Sequence, residues 1–141
     1  MQLFVARRID ACVDTSAFIA FIDRSDTHHR LFYRLFANPP ALLTSTLVVA
    51  ELHGWFLRRY GRTQALEILA MIDLMTPLEV YGVGKEEQDA AVRLLRRFND
   101  QDLTLADAVG LHLMQTFGIP SGWSTDFHLG LMGVPLAIYT H

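Results

Sequence analysis

The chain carries a single cysteine, Cys12, so no intramolecular disulfide can form. That usage fits a reducing compartment, and Cys12 itself lies in an apolar run as a small core residue. Lysine is equally scarce: Lys85 stands alone beside eleven arginines, and the formal net charge is −3. No global positive field therefore draws in nucleic acid. No apolar run is long enough to cross a bilayer. Met1 to Asp10 lacks the long apolar stretch of a signal peptide. Together these absences predict a cytoplasmic protein with no membrane contact. Repeats, linkers and low-complexity tracts are missing as well. No Gly-rich phosphate loop is present, which argues against P-loop hydrolases and Rossmann dehydrogenases. The histidines, among them His28, His29, His53, His112 and His128, show no zinc spacing of the HExxH kind. His53 and His128 stand two positions from acids, but each reads as a structural residue.

Against these gaps, 51% of the 141 residues are apolar, enough for the core of one domain spanning 1–141. That share is high for a small soluble monomer and suggests surface buried against a partner. The arginines gather at Arg58, Arg59 and Arg62, at Arg93, Arg96 and Arg97, and at Arg30 with Arg34. Arginine suits bidentate phosphate contacts better than lysine, although each one alone reads as part of a solvated helix face. Phe18, Phe21, Trp55 and Phe117 read as core aromatics rather than base-stacking platforms.

Turn residues punctuate the chain at Asn38-Pro39-Pro40, Gly61, Thr76-Pro77, Gly82, Gly84, Gly118-Ile119-Pro120 and Gly133. Between them, strands are predicted at 9–13, 41–44, 78–81, 122–125 and 136–139. Helices are predicted at 16–23, 26–37 with Asp26 as N-cap, 46–60, 63–75, 85–98 and 105–117. Strand–helix alternation of this kind implies a mainly parallel sheet covered on both faces. Ligands of such sheets bind at the carboxyl ends of the strands.

Four acids stand isolated in apolar or small-residue surroundings: Asp14, Glu51, Asp107 and Asp126. A buried carboxylate is costly unless a cation or a tight set of hydrogen bonds compensates it. Asp14 follows the first strand and could equally be a helix N-cap. Glu51 lies in the second turn of a helix, next to Leu47, Val48 and Leu52, with almost no polar company. Asp107 completes Thr104-Leu105-Ala106-Asp107, which has the form of a capping box, yet its helix continues as Ala108-Val109-Gly110-Leu111. Asp102, one turn upstream, reads as an outer group at most. Asp126 ends Gly122-Trp123-Ser124-Thr125, where Phe127 could anchor an ordinary turn in the core. Oxygen-only ligands select hard cations such as Mg²⁺ or Mn²⁺. Two such ions roughly 3.5–4 Å apart can activate water and stabilise a leaving oxygen in phosphoryl displacement.

The ordered segments Val13-Asp14-Thr15-Ser16-Ala17-Phe18, Thr44-Ser45 through Ala50-Glu51-Leu52, Leu103-Thr104-Leu105-Ala106-Asp107-Ala108 and Ser124-Thr125-Asp126-Phe127 resemble the PIN-domain ribonucleases. The likeness is strongest to the VapC-like toxins of VapBC-type toxin–antitoxin pairs. It covers nearly the whole chain. It implies a PIN-like three-layer α/β/α sandwich around a central, mainly parallel sheet, with Mg²⁺- or Mn²⁺-dependent endoribonuclease activity. In this resemblance Asp14 is the central ligand, Glu51 and Asp107 complete the first cage, and Asp126 holds a second metal or orients the attacking water. Thr125 positions a ligand or water, and Thr15 or Ser16 matches the hydroxyl after the first acid. Also implied are a 5′-phosphate and a 3′-hydroxyl as product ends, a homodimer, and a small VapB-like antitoxin that blocks the acidic pocket. One departure is the scarcity of lysine; another is a longer segment ahead of the first strand. A non-catalytic PIN-like domain that holds RNA or a protein is the alternative. A phospho-accepting signalling domain would need a lysine at a late strand end, whereas Lys85 opens a helix after the third strand.

Overall fold

The computed structural model describes residues 8–141. Most of the segment read for a signal peptide, residues 1–7, lies outside the described residues. The elements run β1 (Ala11–Val13), α1 (Thr15–Ile22), α2 (His29–Ala37), β2 (Leu42–Ser45), α3 (Thr46–Tyr60), α4 (Arg62–Leu74), β3 (Leu78–Tyr81), α5 (Lys85–Arg97), α6 (Leu105–Phe117), β4 (Gly122–Trp123) and α7 (Ala137–Thr140). The described strands form one sheet in the order β3-β2-β1-β4, and every pairing is parallel.

Side chains alternate across a strand, and the two cores follow from that. Ala11 and Val13 of β1, Leu42 of β2 and Trp123 of β4 face one side, where Phe18, Phe32, Phe36, Leu52, Phe56 and Ile72 of α1–α4 meet them. Cys12 and Leu43 face the other side, against Ala91, Leu94, Val109, Leu113 and Met114 of α5 and α6. This is the expected three-layer sandwich. Burial pushes the Cys12 thiol up to about 12, with the nearby Asp14 charge adding to it, so it behaves as a core apolar group.

Local chemistry sets the boundaries that frame the site. Ser45 caps α3, its Oγ accepting from Val48 N at 3.3 Å. The helix stops at Gly61, whose φ of 91° lies in the region that favours glycine. Thr104 and Asp107 form the capping box of α6, and the left-handed Gly118 closes that helix.

Several expected bounds move. β1 begins at Ala11 rather than Ile9, and β2 runs to Ser45. α2 starts at His29, because Asp26 Oδ1 accepts from His28 N at 2.8 Å and closes a separate turn. β4 ends at Trp123, since Ser124 leaves the sheet to bond with carboxylates. The expected strand at 136–139 is instead the short helix α7. Leu136 alone bridges β4, opposite Gly122. A run of four apolar residues does not separate strand from helix by periodicity. Here Ala137 turns into the core while the Tyr139 and His141 N–H groups bond back to Leu136 and Ala137.

Candidate active site

Asp14 and Asp126 follow β1 and β4, and Glu51 lies on the helix that follows β2, the carboxyl ends where parallel sheets bind ligands; Asp107 comes from α6, close enough for its charge to act on Asp14. Asp14 follows β1 directly. It occupies the N-cap position of α1 but makes no side-chain capping bond. Its Oδ2 instead accepts from Ser16 Oγ at 2.9 Å and from Ser124 Oγ at 3.3 Å. Asp107 does cap: its Oδ2 accepts from Thr104 N at 3.0 Å while Thr104 Oγ1 accepts from Asp107 N at 3.0 Å. Both the structural and the inward-facing readings of Asp107 therefore hold at once.

Burial separates the four. Asp14 and Asp107 are 6% and 7% exposed. Asp126 is half-buried and Glu51 is exposed. The expectation of four enclosed carboxylates is corrected accordingly: two are enclosed, and two stand at an open rim. The rim is open because Glu51 lies on the outward side of its α3 turn, tied down by Thr15 Oγ1, which donates to Glu51 Oε1 at 2.6 Å.

Electrostatics join three of the acids. Burial raises the Asp14 pKa from 3.8 to about 6. The Asp107 charge adds to the rise, the Ser16 hydrogen bond opposes it, and the Asp126 charge adds a further part. Asp126 Oδ1 lies 3.2 Å from Ser124 Oγ and accepts from His128 N at 3.0 Å. Ser124, fully buried, thus has one proton to offer to Asp14 or Asp126.

Sequence reasoning passes over Ser124 and sets His128, two positions from Asp126, aside as structural although it could approach the site. Ser124 holds the hydroxyl between the first and last acids, whereas Thr125 contributes its backbone N–H to Ser16 Oγ at 3.0 Å. His128 was read as structural, yet its Nδ1 lies 3.5 Å from Asp107 Oδ2 and 3.5 Å from Asp126 Oδ1. That nitrogen is buried and makes no hydrogen bond among the described residues, so it approaches both carboxylates without being aligned on either. Phe127 does not anchor the turn: it is 51% exposed, and the buried side chain there is Leu129. Asp102 is exposed, and among the described residues neither it nor His53 makes a side-chain hydrogen bond to the four acids.

Among the described residues no three carboxylate or histidine side chains already enclose one point as a metal cage. The donor chemistry nonetheless fits a hard divalent cation. The oxygens are carboxylate, and two of the acids are desolvated; Asp14 is raised to about 6 chiefly by burial, with the Asp107 and Asp126 charges adding to it. Asp126, whose side chain is 42% exposed, and the exposed Glu51, held by Thr15, stand at the open rim of this set.

A model of the PIN domain family matches residues 11–126, a span that contains all four acids. The chain belongs to the PIN-domain family, whose nucleases are hydrolases that generally use divalent metal ions. Within it, the chain is similar to the 23S rRNA-specific endonuclease VapC20 of Mycobacterium tuberculosis, 30% identical over 115 residues that cover 81% of this chain and 87% of that protein. It is also similar to Ribonuclease VapC26 of the same species, 28% identical over 106 residues covering 74% and 78% of the two chains. The crystal structure of VapC20, a Sarcin-Ricin loop cleaving toxin, matches with a TM-score of 0.80 at 27% identity, over 89% of this chain and 96% of that one.

Proposed function

We propose that the chain, as one PIN-like domain, is an Mg²⁺- or Mn²⁺-dependent endoribonuclease and the toxin subunit of a toxin–antitoxin pair. One observation carries the reading: two desolvated carboxylates, Asp14 and Asp107, meet the half-exposed Asp126 at the open carboxyl edge of the sheet, with Asp14 pushed to about 6.

In this reading Asp14, Glu51 and Asp107 hold the first ion, and Asp126 holds a second or orients the attacking water. A bound divalent ion would supply Lewis-acid polarisation of the phosphoryl oxygens and acidify water. Ser16 and Ser124 fix the Asp14 carboxylate by their hydroxyls. Thr15 fixes Glu51, and the capping box fixes Asp107. Asp126, half-exposed, faces the open side from which water would approach. As water adds to phosphorus the P–O3′ bond breaks; the water loses a proton to solvent, the departing 3′-oxygen takes one up, and the products carry a 5′-phosphate and a 3′-hydroxyl.

A small VapB-like antitoxin that covers the acidic pocket and a homodimer belong to the same proposal. The exposed Leu57, Tyr60, Leu66 and Leu74 on α3 and α4 support buried contacts there. No helix among the described residues is long and apolar enough to cross a membrane, and a cytoplasmic location is proposed from the toxin reading.

The alternative is a domain that binds RNA or protein without cutting. Incubating RNA with the protein in Mn²⁺ and in EDTA separates them. Cleavage in Mn²⁺ that EDTA and Asp14→Asn both abolish is the expected result. Intact RNA in Mn²⁺, or full cleavage by Asp14→Asn, refutes the nuclease reading.

A further inference from the structure

We infer that a groove beside the acidic centre is a subsite for an unpaired ribonucleotide flanking the cleaved bond, with Arg58 on a phosphate and Trp55 under a base. This rests on the nuclease reading and specifies where its substrate lies.

The groove encloses about 330 Å³ and is lined by Thr15, Ala50, Glu51, Gly54, Trp55 and Arg58. That is the lower end of the range of small-ligand sites, roughly 300–1,000 Å³. Two of its walls, Thr15 and Glu51, are the hydrogen-bonded pair at the rim of the acidic centre. Gly54, Trp55 and Arg58 follow Glu51 on α3 at spacings of three, four and seven, which is one helix face, and Ala50 precedes it. Seven residues advance about 10 Å along a helix axis. A strand whose phosphate reaches the carboxylates therefore passes over Trp55 and Arg58 next.

Three details suit a nucleotide. Gly54 leaves the floor low: a Cβ there would lie 3.1 Å from Arg58 Nη1, so the guanidinium rests across the groove above it. No carboxylate pairs with Arg58 among the described residues, in contrast to Lys85 with Asp89 and Arg8 with Asp10. Trp55, expected as a core aromatic, does pack against the core, yet it is only half-buried and lines the groove, with the Arg59 guanidinium 4.4 Å from its ring centroid, so its plane is braced before any ligand arrives. An aromatic plane beside a cation is how single strands are held without sequence preference. The location also answers a charge problem. A chain of net charge −3 with a metal-free carboxylate centre repels phosphate, and a cation just outside that centre offsets the repulsion.

The test is binding without turnover. The full chain in EDTA is titrated with a fluorescein-labelled, mixed-sequence single-stranded RNA of about 12 nucleotides, within the usual single-strand site sizes. Anisotropy is read across a salt series. Tryptophan emission is read in parallel: the chain has two tryptophans, and Trp123 is 3% exposed, so quenching reports on Trp55. Arg58→Ala should weaken binding about tenfold and lower the slope of log affinity against log salt by about 0.7, the value of one single-strand phosphate contact. Arg58→Lys should keep the slope. Trp55→Ala should weaken binding about tenfold with Trp55→Phe recovering most of it, the Phe variant guarding against a packing defect. In turnover assays the Arg58→Ala loss should fall on KM. Unchanged affinity and slope in a folded Arg58→Ala protein overturn the subsite. So does retained RNA affinity with lost self-association, which would assign the groove to protein contact. If RNA is never cleaved but binding still depends on Arg58, the subsite stands and the nuclease reading falls; cleavage with Arg58-independent affinity gives the reverse.

Discussion

Asp14→Asn should stabilise the metal-free protein, and the structure gives the amount. The Asp14 pKa rises from 3.8 to about 6 on folding. At about 1.4 kcal/mol per pKa unit, that is about 3 kcal/mol of folding free energy lost when the carboxylate is ionised. The sign follows from proton counts. Between pH 3.8 and about 6 the folded state holds the proton that the unfolded state has released, so stability falls as pH rises through that window. Above about 6 both states are ionised and the loss is complete. Asparagine keeps an oxygen for the Ser16 and Ser124 hydroxyls and removes the charge. Allowing about 1 kcal/mol for a buried amide donor with no assigned acceptor, the net gain at pH 8 is about 2 kcal/mol. For a chain of this size that is roughly 4–8 °C in Tm. Urea denaturation in EDTA at pH 4, 6 and 8 measures it. The gap should be near zero at pH 4, open by pH 6 and stay constant to pH 8. Added Mg²⁺ or Mn²⁺ should raise the wild type by mass action and leave the variant behind. No gain at pH 8, or a gain independent of pH, would refute the argument that burial, together with the neighbouring charges, penalises the ionised Asp14.

Thr104→Ala removes the N-cap acceptor of α6 and frees Asp107 from one side of its box; the expected loss is about 1 kcal/mol, read by urea denaturation. Cys12, 3% exposed and raised to about 12, should resist a thiol reagent in the folded protein and react fully once denatured. Gly54→Ala should gain about 0.5–1 kcal/mol of helix stability and weaken RNA binding, because its Cβ displaces the Arg58 guanidinium 3.1 Å away. A stabilised Gly54→Ala protein with wild-type RNA affinity would separate the two effects.

The elements with chemical punctuation were legible in the sequence. Thr46–Tyr60 lies between a serine cap and a glycine stop, and Leu105–Phe117 between a capping box and Gly118, and both helices run between those marks. Segments whose identity depended on a neighbour were not. Leu136 to Tyr139 has strand composition, but β4 is two residues long and offers a partner to Leu136 alone. The four acids stood out because nothing polar surrounded them in the chain. How enclosed each one is depends on the angle at which α3 leaves the sheet edge, which no local pattern encodes, and so Glu51 ends exposed.

The serine at the centre shows how a local rule could have reached further. Thr125 adjoins Asp126 in sequence, and adjacency drew attention to its hydroxyl. A hydroxyl or carboxylate that accepts from the backbone N–H two residues on closes a local turn. The chain leaves β4 through two such turns: Ser124 Oγ accepts from Asp126 N at 3.2 Å, and Asp126 Oδ1 accepts from His128 N at 3.0 Å. They draw the three residues together, with Ser124 Oγ 3.2 Å from Asp126 Oδ1 and His128 Nδ1 3.5 Å from that same oxygen. Thr125, between the turn-forming residues, is linked to the group through its backbone N–H. Serine and aspartate spaced by two after a strand end are turn chemistry, and that chemistry selects which side chains of the loop face the acids.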